Sequence, residues 1–197
     1  MSPSTDSVAR DLIVTENITV DSVIDATGDW FVPSGSEKPE HVAEMRDVEK
    51  RLRATADALL VGRLTFEAFR GYWPQQTGDT TGITEYLNRV DKYVVSSTLE
   101  EPDWEGTTVL RGDVADEVAE LKDRPGGDIV TTGSVTLVHA LGRAGLVDEY
   151  RLFVYPVVLG EGRRLFDGRA ARRELALVET HAFTSGVVLL RYRASRR

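Results

Sequence analysis

The feature that most restricts how this 197-residue chain can fold is a unit that recurs along it. A compact apolar run ends in a glycine or hydroxyl turn and is followed by a helical stripe. A strand followed by a helix returns the chain parallel to its start, so repetition of the unit predicts a parallel sheet with helices packed on it. Ala58–Val61 ends at Gly62 and leads into a helical LTFEAF segment that stops near Gly71 and Trp73-Pro74. Lys92–Val95 runs into Ser96-Ser97-Thr98. Thr107–Leu110 is a short strand, after which Asp113 is placed to cap a helix over Val114–Lys122, with Val114, Val118 and Leu121 on one face. Asp128–Thr132 gives way at Gly133-Ser134 to a helix over Val135–Arg143, which Gly145 closes as a left-handed cap.

The flanks of this repeat read differently. Asp11–Thr15 (DLIVT) is a buried strand, and Ile18–Lys38 is a long loop of the kind that tends to carry function. Pro39 opens a helix through about Ala56, striped by Val42, Met45, Val48, Leu52 and Ala56. Beyond Asp148, EYRLFVYPVVL is one extended run. Glu174–Phe183 and Val187–Arg193, joined by Thr184-Ser185-Gly186, form an antiparallel hairpin. The expected fold class is therefore α/β, a mostly parallel twisted sheet flanked by helices, with antiparallel C-terminal strands. Residues 1–10 are expected to be a disordered lead-in and 11–197 a single domain.

A formal net charge of −8 argues against a broad cationic surface for nucleic acid or an anionic membrane. The sequence contains no cysteine, so disulfides, zinc ribbons and thiol nucleophiles are excluded together and any redox chemistry needs a bound cofactor. MSPSTDSVAR lacks the features of a secretory signal, and a cytoplasmic protein is expected. His41, His139 and His181 have no metal-ligand spacing, and no metal is expected.

Ligands of parallel α/β sheets bind beyond the carboxyl ends of the strands, where the N–H groups that open each helix favour phosphate. Three ends here carry suitable residues. Gly62-Arg63-Leu64-Thr65 offers a flexible turn, a guanidinium and a hydroxyl; Ser96-Ser97-Thr98 offers hydroxyls; Thr132-Gly133-Ser134-Val135-Thr136 offers a glycine and further donors. Each could equally serve as a structural cap. The three-glycine dinucleotide fingerprint and the Gly-Lys-Ser/Thr phosphate loop are both absent, which disfavours a conventional Rossmann dehydrogenase.

VGRLTFE at Val61–Glu67 resembles a signature of dihydrofolate reductases. GGDIVTTGSVTLVHAL together with LVDEYRLFVYPVVLGEGRRLF is similar to the reductase domain of the bifunctional riboflavin-biosynthesis deaminase-reductase. The resemblance spans about Asp11–Arg193 and implies a dihydrofolate-reductase-like fold and an NADPH cofactor. It places Arg63 and Thr65 at the cofactor phosphates, Ser96, Ser97 and Thr98 at the adenosine end, and Thr132, Gly133, Ser134, Val135 and Thr136 around the pyrophosphate. The relatives' turn has two glycines joined by a cis peptide, where this chain has Thr132-Gly133. Thr19-Val20-Asp21-Ser22 stands where they carry Ser-Leu-Asp-Gly beside the substrate.

The resemblance further implies a hydride supplied by the cofactor to a small heterocyclic or carbonyl-like acceptor, pterin or pyrimidine related. Asp21 and Asp47 are the candidate proton sources or substrate partners; Val20, Trp30, Gly160 and Glu161 are candidate substrate neighbours. Asp47 reads equally as part of a solvent-facing ion cluster with Glu44 and Arg51. The alternative function is a non-catalytic NADPH-binding sensor or assembly module. Leu152–Leu159 is compatible either with a homodimer surface or with a buried strand.

Overall fold

The computed structural model describes residues 9–25, 30, 39–166, 168 and 172–195. Eight strands form one sheet: β1 (Leu12–Thr19), β2 (Ala56–Gly62), β3 (Asp91–Val95), β4 (Thr107–Leu110), β5 (Asp128–Thr131), β6 (Glu149–Tyr155), β7 (Leu175–Ala182) and β8 (Val188–Ala194). Their spatial order is β4-β3-β2-β5-β1-β6-β8-β7. The pairs from β4 to β6 are parallel, and β6–β8 and β8–β7 are antiparallel. The expected α/β architecture and its antiparallel finish are both present.

Among the described residues the α-helices are α1 (Pro39–Arg53), α2 (Arg63–Tyr72), α3 (Ile83–Arg89), α4 (Val114–Asp123) and α5 (Val135–Ala144), with a short 3₁₀ turn at Trp73–Gln75. One face of the sheet packs Leu12, Val14, Leu60 and Ile129 against Val118 and Leu121 of α4 and Val138 and Leu141 of α5. The other face has two separate clusters. Ile13, Leu59, Val61 and Val130 meet Phe66 of α2 and Tyr86 of α3, while Phe153 and Leu189 meet Met45 and Leu52 of α1.

Several boundaries differ from expectation. β1 runs on to Thr19 although Thr15, Glu16 and Asn17 are polar, because pairing with β6 continues through Thr19↔Tyr155. α1 stops at Arg53, and Ala56 joins β2 opposite Asp128. α3 has only seven residues, too few to show a helical period, and is anchored by buried Tyr86 and Leu87. β6 ends at Tyr155, and its central place between β1 and β8 buries Leu152 and Phe153 instead of offering them to a partner. Arg10, at the end of the segment read as a lead-in, is buried, paired with Asp57 and bonded through Nε to the Gly127 carbonyl at 2.7 Å. Residues 1–8 and, within the expected long loop, residues 26–29 and 31–38 lie outside the described residues.

Candidate functional site

Thr15 and Asn17 locate an opening in the fold. Their register with Arg151 and Phe153 puts them on the face shared by α1, α2 and α3. The pairing of β1 with β5 ends at Val14↔Thr131, so Thr15 and Asn17 pair with β6 alone and are half-exposed, while Ile13 on the same face is buried. The helices therefore leave this face uncovered toward the carboxyl end of β1, between α1 and the α2–α3 pair. Sequence reasoning missed both residues, although two polar positions at period two on a central strand were the available signal.

The turns after β2 and β5 are joined directly. Ser134 Oγ accepts from the Gly62 N–H at 2.9 Å and donates to Thr65 Oγ1 at 2.9 Å, and the Ser134 N–H donates to Thr65 Oγ1 at 3.1 Å. These bonds bring Gly62, Thr65 and Ser134 together although they lie far apart in sequence. Gly133 and Ser134 are both left-handed, at φ 59° and 47°, so the chain reverses sharply before α5. Neither α2 nor α5 has a side-chain hydrogen bond at its N-cap, whereas Asp113 caps α4 by accepting from Ala115 and Asp116. Open helix starts leave N–H donors facing outward, the condition for anion binding. All peptide bonds among the described residues are trans, including Thr132–Gly133.

On the other side of the Gly133 turn, Glu16 Oε2 accepts from the Gly133 N–H at 3.1 Å. Burial pushes the Glu16 carboxyl well above the usual carboxylate range, and the Gly133 bond only partly offsets that effect.

The third strand end is more structural than the sequence implied. Ser96 is buried, and its Oγ accepts from the Thr98 and Leu99 N–H groups at 3.2 and 3.0 Å, while Ser97 and Thr98 are exposed. Beside them stands Arg111, which donates to the carbonyls of Ser97 and Leu99 at 3.4 and 2.5 Å. This guanidinium was also missed; its signal was an arginine immediately after the short strand β4. Arg63 is exposed and holds Glu67 one turn along α2 at 3.0 Å. Val135 is buried in the core at the start of α5, and Thr136 is exposed.

Asp21 is a clamp. Its carboxylate accepts from Thr19 Oγ1 at 2.6 Å, from the Gly160 and Leu159 N–H groups at 2.9 and 3.2 Å, and from Arg164 at 3.4 Å. The Thr19 hydroxyl first, and then those backbone donors, hold its pKa at about 2. Val20 is 61% exposed and donates its N–H to the Val157 carbonyl. Gly162 closes the same clamp, since a Cβ there would come within 2.6 Å of Val23 Cγ1. Glu161 is exposed at the tip of this loop. Ser22, at the place of the relatives' glycine, is left-handed at φ 70°.

Trp30 lies edge-on to Tyr155 with ring centroids 5.6 Å apart and packs against the α1 cluster. Asp47 is exposed. The ion cluster expected around it does not form, because Glu44 turns to His181 and Thr184 while Arg51 turns to Glu179. A different face of α1 looks toward α3. Arg53 donates to the Thr81 carbonyl, lies over the Tyr86 ring and pairs with Glu49 at 3.4 Å. Burial raises the Glu49 pKa, opposed by Arg53 and Arg46. Arg46, one turn before Glu49, has a buried Nε with no hydrogen-bond partner. Neither residue was singled out in the sequence, where both are ordinary charges on an amphipathic helix.

Among the described residues no group of three metal-ligating side chains gathers, and no helix is long and apolar enough to cross a membrane.

Comparison with known proteins converges on one family. The family model described as the RibD C-terminal domain matches residues 10–189. The uncharacterized protein YyaP of Bacillus subtilis (strain 168) is 37% identical over 138 residues, covering 69% of this chain and 73% of its own. A crystal structure of a pyrimidine reductase-like protein from Corynebacterium diphtheriae superposes with a TM-score of 0.67 at 17% identity, covering all of this chain and 96% of its own. The diaminohydroxyphosphoribosylaminopyrimidine deaminase/5-amino-6-(5-phosphoribosylamino)uracil reductase of Thermotoga maritima gives 0.63 at 17% identity, over 95% of this chain and 57% of its own.

Proposed function

Because the chain belongs to the RibD C-terminal domain family, we propose that it is an NADPH-dependent reductase acting on a small pyrimidine-related or pterin-related heterocycle. The observation that carries this reading is the joining of two uncapped helix starts through Gly62, Thr65 and Ser134. The donor set fits a dinucleotide phosphate in kind: outward N–H groups, hydroxyls, and the guanidiniums of Arg63 and Arg111.

The cofactor, when bound, supplies the hydride. The chain's own residues bind, orient and exclude water. The turn at Thr132–Thr136 and the start of α2 would hold the pyrophosphate, with Ser97, Thr98 and Arg111 at the adenosine phosphate. Thr15 and Asn17 floor the acceptor opening, and Asp21 keeps the 158–164 loop closed over the end of β1. An ionised Asp21 whose oxygens are already engaged is a positioning residue, so we assign the proton-bearing role to Glu49, with Arg46 orienting the acceptor's carbonyl edge. The same proposal includes a cytoplasmic location and a homodimer. Assembly would use the exposed β7, where Leu175, Leu177 and Val178 face outward at the sheet edge.

Calorimetric titration with NADPH and NADH, followed by stopped-flow oxidation of bound NADPH by a panel of pyrimidines, pterins and small carbonyls, tests the reading. We expect micromolar NADPH binding, weaker NADH binding, and turnover with at least one heterocycle that Glu49→Gln lowers without weakening NADPH. Binding without oxidation by any acceptor would instead identify a sensor. No binding at micromolar concentrations would reject the cofactor assignment.

A further inference from the structure

Glu16 stands directly behind the Gly133 turn. It lies on the face of β1 that packs under α4 and α5, two residues beyond Val14, whose register partner is Thr131. Glu16 is 4% exposed and Thr131 is fully buried. Oε2 takes the Gly133 N–H, while Oε1 and the Thr131 hydroxyl are both buried without hydrogen-bond partners. A buried carboxyl with one unsatisfied oxygen is costly, and more so when ionised. Packing alone does not account for it, since an apolar residue would cover the same surface without that cost.

Among the described residues, no cation pairs with Glu16. Opposite Glu16 on β6 is Leu152, flanked on that face by Tyr150 and Val154. On β5 there is Thr131, and on α5 Val135 and Val138 are buried. On β6, Tyr150 shares the face of Glu16, whereas Glu149, Arg151 and Tyr155 alternate to the opposite face, and Asp128 lies at the amino end of β5. On α5 stand His139, whose Nε2 meets the Arg164 carbonyl at 2.8 Å, and exposed Arg143, and on α4 Asp116, Glu117, Glu120, Lys122 and Asp123, of which Glu117 accepts from the Gly112 N–H and Lys122 pairs with Asp148. Burial raises the Glu16 pKa, opposed by the single Gly133 backbone donor.

We propose that the Glu16 carboxyl is a built-in stand-in for ligand phosphate at the Gly133 turn, and that anion binding there is coupled to the protonation of this single buried acid. Resting on the phosphate-binding reading of the turn given above, it names a control on that site. Glu16 acts through the Gly133 amide and is a positioning residue. In its neutral form it holds Gly133 and Ser134 in the left-handed reversal and leaves the turn free of negative charge. Once ionised, it would put a full negative charge directly behind the turn that holds a phosphate, in a low-dielectric setting where like charges repel strongly. Linkage then requires affinity for an anionic ligand to fall as pH rises through the Glu16 titration, by up to about tenfold per pH unit, and binding to take up a proton in that range.

The test measures NADPH and, separately, inorganic pyrophosphate affinity calorimetrically from pH 5 to 9, in buffers of different ionisation enthalpy, for the wild type and Glu16→Gln. Glutamine keeps the shape and an acceptor for Gly133 but cannot ionise. The expected result is a wild-type affinity that falls with pH more steeply than that of Glu16→Gln, with proton uptake confined to the wild type. Identical profiles and proton counts would overturn the proposal. If neither ligand binds either protein, the cofactor reading falls, and the coupling is decided in the free protein by the Gly133 amide resonance. A pH titration of that resonance present in the wild type and absent in Glu16→Gln supports it; a resonance insensitive to pH in both overturns it.

Discussion

The two ends of the sheet are built on opposite principles. At the amino ends of the parallel strands, charges are matched within the protein. Arg10 pairs with Asp57, Lys122 with Asp148, and Arg193 with Asp11. Glu149 gathers Arg151 at 2.6 Å and Arg191 at 2.9 Å, and Lys92 is caged by the carbonyls of Val90 and Glu105 beneath the Trp104 ring. At the carboxyl ends, donors are instead left facing outward at uncapped helix starts, and hydroxyls bond one another without a counter-charge. One end spends its polar groups on the fold and the other holds them for a ligand. The Asp21 clamp, where a fully engaged carboxylate closes a loop, and the Arg63–Glu67 pair on α2 are exceptions at the carboxyl end.

If this contrast is right, substitutions at the two ends should separate stability from binding. The largest effect is expected from Arg151→Ala. It leaves Glu149 buried with fewer partners and the Leu52 carbonyl without its donor, a loss of about 3–5 kcal/mol in unfolding free energy by denaturant titration. NADPH affinity of the folded fraction should stay within about twofold; a joint loss would mean that the two ends are not independent. Next is Thr65→Val, which removes the acceptor of the Ser134 N–H. NADPH affinity should fall by about 10- to 100-fold, the range of one or two lost hydrogen bonds to a charged ligand and its cradle. An unchanged affinity would make the β2–β5 bridge purely structural.

Asp113→Ala is the control at a capped helix start. It should cost about 1 kcal/mol of stability and leave NADPH binding unchanged, because that cap closes α4 and serves no ligand. The smallest effect is a pH dependence. Asp21 is held at about 2, below its ordinary 3.8. A depressed carboxylate stabilises the folded state above its unfolded pKa, and that contribution is lost as pH falls through the folded value. The melting-temperature advantage of the wild type over Asp21→Asn should therefore be constant above about pH 5 and shrink between about pH 4 and 2. An advantage that does not change with acid would remove the charged clamp.

The repeat of strand, turn and helix was legible because each unit carries its own period and its own terminator. That is why β4 and the Gly145 cap of α5 fall where the sequence places them. The polar end of β1 was not legible, because Thr15, Glu16 and Asn17 break the apolar run for different reasons: two face an opening and one is buried beneath a turn. Local sequence does not distinguish these cases. The three strand ends of the site were legible from glycine and hydroxyl content, but the Thr65–Ser134 bridge was not, since it depends on β2 and β5 being neighbours. The resemblance points to Asp47, yet helical phase decides which way a side chain points. That phase turns Arg53 and its partner Glu49 toward α3 and leaves Asp47 in solvent.

In the proposed function the carboxyl ends of β2, β3 and β5 form one dinucleotide site. The most direct test follows backbone amide resonances of the isotope-labelled chain as NADPH is added. Saturable shifts are expected at Gly62–Thr65, Ser96–Thr98 and Thr132–Thr136, with the amino-end residues Arg10, Asp57 and Lys122 unmoved. Shifts centred on the amino end, or none at saturating NADPH, would contradict it.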